Sequence, residues 1–174
     1  MAATAPAAAS LPGPVGRAPA ASCLLLDVDA FYSRCCADVA TASEVEVASY
    51  QYDNPSLQKV LMKRLKGRPA FTLRVYLDAE MFEGDVPRYQ KARVRELWQA
   101  GAQVFLCRGP RSQGSFHVKA VVVDRRYLYC GSPNFTYKSH NNAELCWRMT
   151  GPNVGQVLQK LVVESQKRKL WDGS

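Results

Sequence analysis

The stretch SFHVKAVVVDRRYLYCGSPNFT, residues 115–136, decides how the rest of this sequence is interpreted. Its HVKAVVVD segment predicts a strand whose side chains alternate between two faces. His117 and Lys119 are two residues apart, so both project from one face, about 7 Å from each other along the strand. Arg125-Arg126 can form the turn that follows, and YLYCG predicts a returning strand.

A polar pair at one end of an otherwise apolar strand needs partners, because burying an imidazole and an ammonium without them costs free energy. A phosphodiester can supply those partners. A nucleophilic imidazole can attack phosphorus while a lysine ammonium neutralises the charge on the nonbridging oxygens. Ser132 and Asn134 can donate further hydrogen bonds to these oxygens, and Gly131 allows a close approach of the backbone.

The remainder of the chain alternates between helical and strand patterns at short spacing, which is the signature of an α/β fold. Asn54 and Pro55 provide an N-cap and a first helical position, and Gly67 can end that helix. The predicted strands are 44–52, 71–77 and 102–107, and the predicted helices are 30–43, 55–67, 87–100 and 153–170.

The length of 174 residues fits one ordinary domain, and 23 Lys and Arg against 15 Asp and Glu give a net charge of +8. Such a surplus favours a polyanionic partner, either nucleic acid or an anionic membrane surface. Residues 1–22 are rich in Ala and Pro and predict a flexible leader, which leaves residues 23–174 as the single folded domain. No apolar run is long enough to predict a transmembrane anchor.

The six cysteines show no convincing zinc-ligand or disulfide spacing. Free thiols in a reducing intracellular compartment are the simplest interpretation. A cytoplasmic location is therefore favoured, and an organelle stays open.

The pattern His117-x-Lys119-x4-Asp124-x6-Gly131-Ser132-x-Asn134 resembles the HKD motif of the phospholipase D superfamily. The resemblance is sharpest over residues 115–146. More loosely, residues 44–146 are similar to the small bacterial endonucleases of that superfamily. The resemblance implies a phospholipase D/nuclease-like mixed β-sheet flanked by helices on both faces.

The same resemblance implies roles for individual residues. His117 would be the nucleophile that forms a phosphohistidine, and Lys119 and Asn134 would bind phosphate with Ser132 beside them. No metal ion and no cofactor are implied.

Two acidic residues belong to the inferred catalytic set as well. Asp124 corresponds to the motif aspartate, whose role in the family is mainly structural or indirect. Glu144, in the segment Asn142-Ala143-Glu144, corresponds to the glutamate that holds the histidine tautomer.

The family mechanism needs two histidines, one that attacks and one that protonates the leaving oxygen and later activates water. This chain has only His117 and His140, and His140 lies in the polar run 138–142, which predicts an exposed loop. Family members with one HKD motif complete the site as homodimers. The resemblance therefore implies a twofold homodimer with one composite active site.

The favoured activity is a metal-independent endonuclease that acts on nucleic acid. The alternative is a phospholipase D-type hydrolase of an anionic phospholipid, resembling the mitochondrial cardiolipin hydrolases, whose hydrophobic anchor and zinc insertion are not evident here. A nucleic-acid-binding module without turnover is a third hypothesis. Two basic stretches predict either solvated helix faces or a substrate groove. They comprise Lys59, Lys63, Arg64, Lys66 and Arg68, and Arg88, Lys91, Arg93 and Arg95.

Overall fold

A computed structural model describes residues 21–67, 70–84, 88–111, 114–164 and 166–173. These residues form a mixed sheet in the order β1-β7-β6-β5-β2-β3-β4-β8, in which β2, β3 and β4 are parallel and the other pairings antiparallel. The strands are β1 (Ser22–Leu26), β2 (Glu44–Ser49), β3 (Thr72–Asp78), β4 (Gln103–Arg108), β5 (Lys119–Val123), β6 (Tyr127–Gly131), β7 (Cys146–Thr150) and β8 (Gln166–Leu170).

Helices cover both faces of this sheet. They are α1 (Val28–Thr41), α2 (Pro55–Gly67), α3 (Ala79–Glu83), α4 (Arg88–Gln99) and α5 (Val154–Glu164), with a 3₁₀ turn at Lys138–Asn141. Val121 packs in one core with apolar residues of α1, α2 and α4, whereas Val122 packs with Leu158 of α5 on the opposite side. The predicted α/β fold with helices on both faces is confirmed.

The alternation predicted for the central strand is present, but β5 begins at Lys119, so His117 lies just before it. Lys119 pairs with Ser49, the last residue of β2, and Ser49 pairs with Leu77 near the end of β3. The carboxyl ends of β2 and β3 therefore meet the amino end of β5 at one edge of the sheet, which we call the site edge.

Local signals place α2 as predicted. The Asn54 side-chain oxygen accepts a hydrogen bond from the Leu57 amide at 2.9 Å, which caps the helix. Leu57 and Leu61 are buried, and the helix ends at Gly67. Among the described residues no helix is long and apolar enough to cross a membrane.

The prediction of a helix over residues 153–170 is wrong in its last part. The helix stops at Glu164, and Gln166–Leu170 forms a strand that pairs antiparallel with β4. Trp171 then donates its amide to the Val104 carbonyl at 2.9 Å and is buried beside Phe82. Pairing with β4, which is distant in sequence, outweighs the helical periodicity of this segment.

The amino-terminal boundary also differs from the expectation. Residues 1–20 of the predicted leader lie outside the described residues, while Ser22 already belongs to β1. Strands β1 and β7 were not predicted, and both are paired along their length.

Candidate active site

His117 and Lys119 meet at the site edge. The Lys119 Nζ lies 3.0 Å from His117 Nδ1 and 3.1 Å from Nε2, so it can donate to whichever ring nitrogen carries no proton. It also donates to the His117 carbonyl at 3.3 Å. The imidazole is exposed and Lys119 is half-buried. The two side chains are therefore in contact and open to a ligand.

The surroundings of His117 favour its neutral form. Partial burial, and then the positive charge of Lys119, lower the pKa of the imidazole below its ordinary value, and the carboxylate of Asp78 opposes the shift. A neutral imidazole has a free lone pair and can act as a nucleophile. The lowered pKa of the imidazole therefore favours the unprotonated form that a nucleophile requires.

We expect the His117 imidazole to titrate below about pH 6.5, the ordinary value for histidine, in an NMR titration of its ring protons. Lys119→Met removes a positive charge but keeps most of the stem, so the pKa of His117 should rise. Lys59→Met, on the exposed surface of α2, is the matched control and should not move it. A pKa that falls or stays constant in Lys119→Met would contradict the assigned cause.

Tyr50 is a contact of this pair that the sequence did not single out. Its ring centre lies 4.6 Å from that of His117 at 60°, and Lys119 Nζ lies 5.7 Å from the Tyr50 ring centre. An aromatic face attracts a cation at this distance. Tyr50 therefore restricts both side chains. The sequence predicts a strand over residues 44–52, which includes Tyr50. In the structure β2 ends at Ser49, so Tyr50 lies just beyond the strand.

Asp78 fixes the segment that leads into His117. One carboxylate oxygen accepts from the Met81 amide at 2.8 Å and caps α3, and the other accepts from the Phe116 amide at 2.6 Å. The side chain is 1% exposed. An aspartate at the end of a strand signals a helix cap, but nothing local shows that it binds Phe116, 38 residues later.

Ser132 and Glu144 are bound to each other. The Ser132 hydroxyl donates to the Glu144 carboxylate and accepts from the Leu145 amide at 3.0 Å. Asn142 Nδ2 donates to the other Glu144 oxygen at 3.1 Å. A Cβ at Gly131 would overlap the Leu145 carbonyl, so glycine is required for this close approach.

The predicted hydrogen bond from Glu144 to His117 is not among the contacts within the described chain. Glu144 instead acts on Lys119, where its charge raises the pKa of the ammonium against a larger lowering by burial. Within the described chain its two carboxylate oxygens accept from Ser132 and from Asn142.

Asn134 is held at the site edge by its own backbone. Its carbonyl accepts from the Tyr32 hydroxyl at 2.7 Å, and the amide of the next residue, Phe135, donates to Ser49 Oγ at 3.4 Å. The Asn134 side-chain oxygen is buried and has no hydrogen-bond partner among the residues described here. This side-chain oxygen is therefore not hydrogen-bonded to another described protein group.

Asp124 lies away from the other predicted site residues. It follows the far end of β5, five residues from Lys119, or about 16 Å along an extended strand. Its carboxylate accepts from the Ser43 amide at 2.8 Å and the Glu44 amide at 2.9 Å, and its own φ is 49°. Asp124 holds a turn, which suits the structural or indirect role that the resemblance implies, and its place in the catalytic set stays a prediction.

The prediction of an exposed loop at His140 is also wrong. The ring lies 4.3 Å from that of Tyr32, its Nε2 is 3.1 Å from Asn54 Nδ2, and its Nδ1 is 3.6 Å from the Asp29 carboxylate. His140 is therefore a packed residue that joins α1, α2 and the 3₁₀ turn. In the described chain its contacts do not include His117.

The residues of the two basic stretches do not all face solvent on one surface. Arg64 is buried, donates to the Ala42 carbonyl and lies over the Phe71 ring, so it is structural. Arg68 and the side chain of Arg88 lie outside what the structure describes. Within the described chain no group of three or more potential ligands could hold a metal ion.

Comparison with known proteins agrees with this geometry. A family model described as "Cardiolipin synthase, PLD-like domain" matches residues 37–165. A search of curated protein sequences found no significant match.

Solved structures show the same fold at low identity. Nuc from Salmonella typhimurium, a phospholipase D family member, has a TM-score of 0.69 at 16% identity, covering 87% of this chain and 99% of that one. NucT from Helicobacter pylori has a TM-score of 0.68 at 13% identity, covering 84% and 98%. Phosphatidylserine synthase from Haemophilus influenzae has a TM-score of 0.68 at 15% identity, covering 93% and 42%.

Proposed function

The chain belongs to the phospholipase D superfamily, and from this membership we propose that it is a metal-independent endonuclease that cleaves phosphodiester bonds through a phosphohistidine. The members of this superfamily are phosphodiesterases. The observation that carries the proposal is the contact between the exposed His117 imidazole and the Lys119 ammonium. The surroundings of the imidazole lower its pKa as well. A nucleophile beside a fixed positive charge suits attack on an anionic phosphorus centre.

In the first step His117 attacks phosphorus and forms an N–P bond, while the bond from phosphorus to the leaving oxygen breaks. Lys119 neutralises the nonbridging oxygens as charge develops on them. Asn134 Nδ2 is proposed to donate a further hydrogen bond there, whereas the single hydroxyl proton of Ser132 is donated to Glu144. Glu144 holds Ser132 in position and favours the charged form of Lys119.

The leaving oxygen needs a proton, and the second step needs a base. His140 is engaged with Tyr32 and Asn54, so it does not serve. We propose that the anionic phosphodiester between the two His117 rings stabilises one of them as an imidazolium, and that this ring, His117 of the partner subunit, protonates the leaving oxygen. The neutral ring then takes a proton from a water molecule, whose oxygen displaces His117 from phosphorus. A twofold homodimer supplies both groups from one sequence position.

Nucleic acid is proposed over phospholipid because residues 44–146 resemble the small endonucleases of the superfamily, and the net charge of +8 suits such a polyanion as it would suit an anionic membrane. The phospholipid alternative rests on the description of the family model and on the likeness to a phosphatidylserine synthase, which shares the fold. Both substrates present the same phosphodiester to His117 and Lys119, so the chemistry of the two residues does not separate them.

A substrate panel tests the proposal. The protein is incubated in excess EDTA with single-stranded DNA, double-stranded DNA, RNA and vesicles containing cardiolipin. We expect cleavage of nucleic acid to persist in EDTA and to weaken steeply as salt rises, because binding releases counterions.

Three other results would each redirect the proposal. Complete inhibition by EDTA would indicate a metal-dependent reaction. Hydrolysis of cardiolipin with nucleic acid left intact would establish the lipid alternative. Binding of nucleic acid with no turnover on any substrate would indicate a binding module.

A further inference from the structure

A pocket lined by positively charged side chains lies near the site edge, and its residues take no part in the proposed reaction. We call it the basic pocket. It is a cavity of about 210 Å³ between α3, α4, β4 and β8. Lys91 and Arg95 of α4 and Lys169 of β8 contribute positive charge to its wall. A water molecule occupies about 30 Å³ in the liquid, so the cavity has room for a phosphate group.

The three cations of the basic pocket are not neutralised by ion pairs within the part of the chain that the structure describes. No salt bridge between described residues involves Lys91, Arg95 or Lys169. Glu83, an acidic residue in the same wall, has its carboxylate 4.0 Å from Arg108 outside the pocket. Like charges that share a cavity repel one another, and a bound anion would relieve that repulsion.

The apolar part of the pocket offers little surface to an acyl chain. Phe82 and Trp171 line it, yet they are 7% and 4% exposed because their rings pack edge to face against each other. Lys91 is half-buried and its Nζ donates to the Gly84 carbonyl at 3.3 Å, so one of the cations is held in place. The pocket therefore presents charged groups beside only a small apolar surface.

The basic pocket and the surroundings of His117 both lie next to α3. Phe82 also lines a small cavity next to Tyr50, and Tyr50 packs on the His117 ring. Gln51 Nε2 donates to the Met81 sulfur at 3.6 Å, which ties α3 to the segment that carries Tyr50. The basic pocket and the small cavity next to Tyr50 therefore both border α3.

We propose that the basic pocket binds a backbone phosphate of a nucleic-acid strand at a nucleotide away from the bond that is cleaved. The identity of this ligand rests on the proposed function. A strand carries a phosphate at every nucleotide, so one phosphate can lie over His117 while another lies between Lys91, Arg95 and Lys169. The pocket would thereby select a long substrate over a small diester.

The test compares two triple variants that each remove three positive charges. The first variant removes the three positive charges of the basic pocket and is Lys91→Ala/Arg95→Ala/Lys169→Ala. The second removes three exposed lysines of α2 and is Lys59→Ala/Lys63→Ala/Lys66→Ala. Each triple is combined with His117→Ala, so that the strand is not cut. Fluorescence anisotropy then measures the Kd for a labelled single strand of about 20 nucleotides, beyond the site size of one small domain, at several salt concentrations.

The basic-pocket variant is expected to weaken binding of the strand by about 10- to 100-fold and to reduce the salt slope by about 0.7 for each phosphate that the variant no longer neutralises. The α2 variant should change both much less. With His117 intact, the basic-pocket variant should hydrolyse bis(4-nitrophenyl) phosphate, which has a single phosphate, as fast as the wild type.

Equal weakening by the two triples would overturn the inference, because it would show a general effect of charge. Weaker binding to cardiolipin vesicles with unchanged binding to the strand would also overturn it, in favour of a membrane contact. If the wild type hydrolyses no diester at all, the proposed function fails. The selective loss of strand binding would still support the pocket in that case.

Discussion

Replacing His117 with alanine is expected to lower the rate of phosphodiester cleavage by at least about 10⁴-fold, because in the homodimer one substitution removes both the nucleophile and the general acid. The imidazole is exposed, so its loss opens no cavity in either core. The variant should therefore keep the dimer mass and the melting temperature of the wild type. Single-turnover kinetics, light scattering and thermal melting measure the three quantities.

His140→Ala is the matched control, since it removes the other histidine of the chain. It deletes the packing of that ring on Tyr32 and should lower the melting temperature while cleavage persists. Undiminished cleavage by His117→Ala, or its abolition by His140→Ala in a folded dimer, would contradict the assignment of the nucleophile.

Mixed dimers show whether the site is composite. If His117→Ala and wild-type chains are unfolded together in equal amounts and refolded, about one quarter of the dimers carry two wild-type chains. A composite site predicts about one quarter of the wild-type activity, because a mixed dimer has only one copy of His117. Independent sites predict about one half. The dependence of activity on the fraction of wild-type chain separates the two cases.

The part of the site that the sequence predicts is local. His117 and Lys119 share a face because extended segments have a period of two. Gly131 and Ser132 lie where the returning strand β6 ends. The predicted membership of the phospholipase D superfamily is confirmed by the family model over residues 37–165. The fold class follows from alternating patterns that are likewise short in range.

The rest depends on contacts between residues distant in the chain. Tyr50 contacts His117 because β2 and β5 are paired. Residues 166–170, just before Trp171, form a strand because they pair with the edge of β4. Neither pairing can be predicted from the local periodicity of the sequence. The motif aspartate shows the converse: Asp124 is fixed in sequence relative to His117, yet the length of β5 carries it to the opposite end of the sheet.

Asp78 is expected to be the most sensitive positioning residue of the site. In Asp78→Ala the buried amides of Met81 and Phe116 both lose a charged acceptor, and hydrogen bonds to charged groups contribute about 1.5–3 kcal/mol each. We therefore expect a loss of about 3 kcal/mol or more in the free energy of unfolding, measured by urea titration. A shift of about 1 Å in His117 should lower kcat by about 100-fold with little change in KM.

Asp78→Asn separates positioning from stability. It keeps the shape and removes the negative charge that raises the pKa of His117, so the NMR-measured pKa should fall further below that of the wild type. Asp53→Asn is the matched control, because Asp53 is also buried and accepts from a single amide, that of Tyr137, at 2.6 Å. It should cost stability and leave the pKa of His117 unchanged. If both variants lose stability alike, and neither moves the pKa of His117 or kcat, Asp78 has only a structural role.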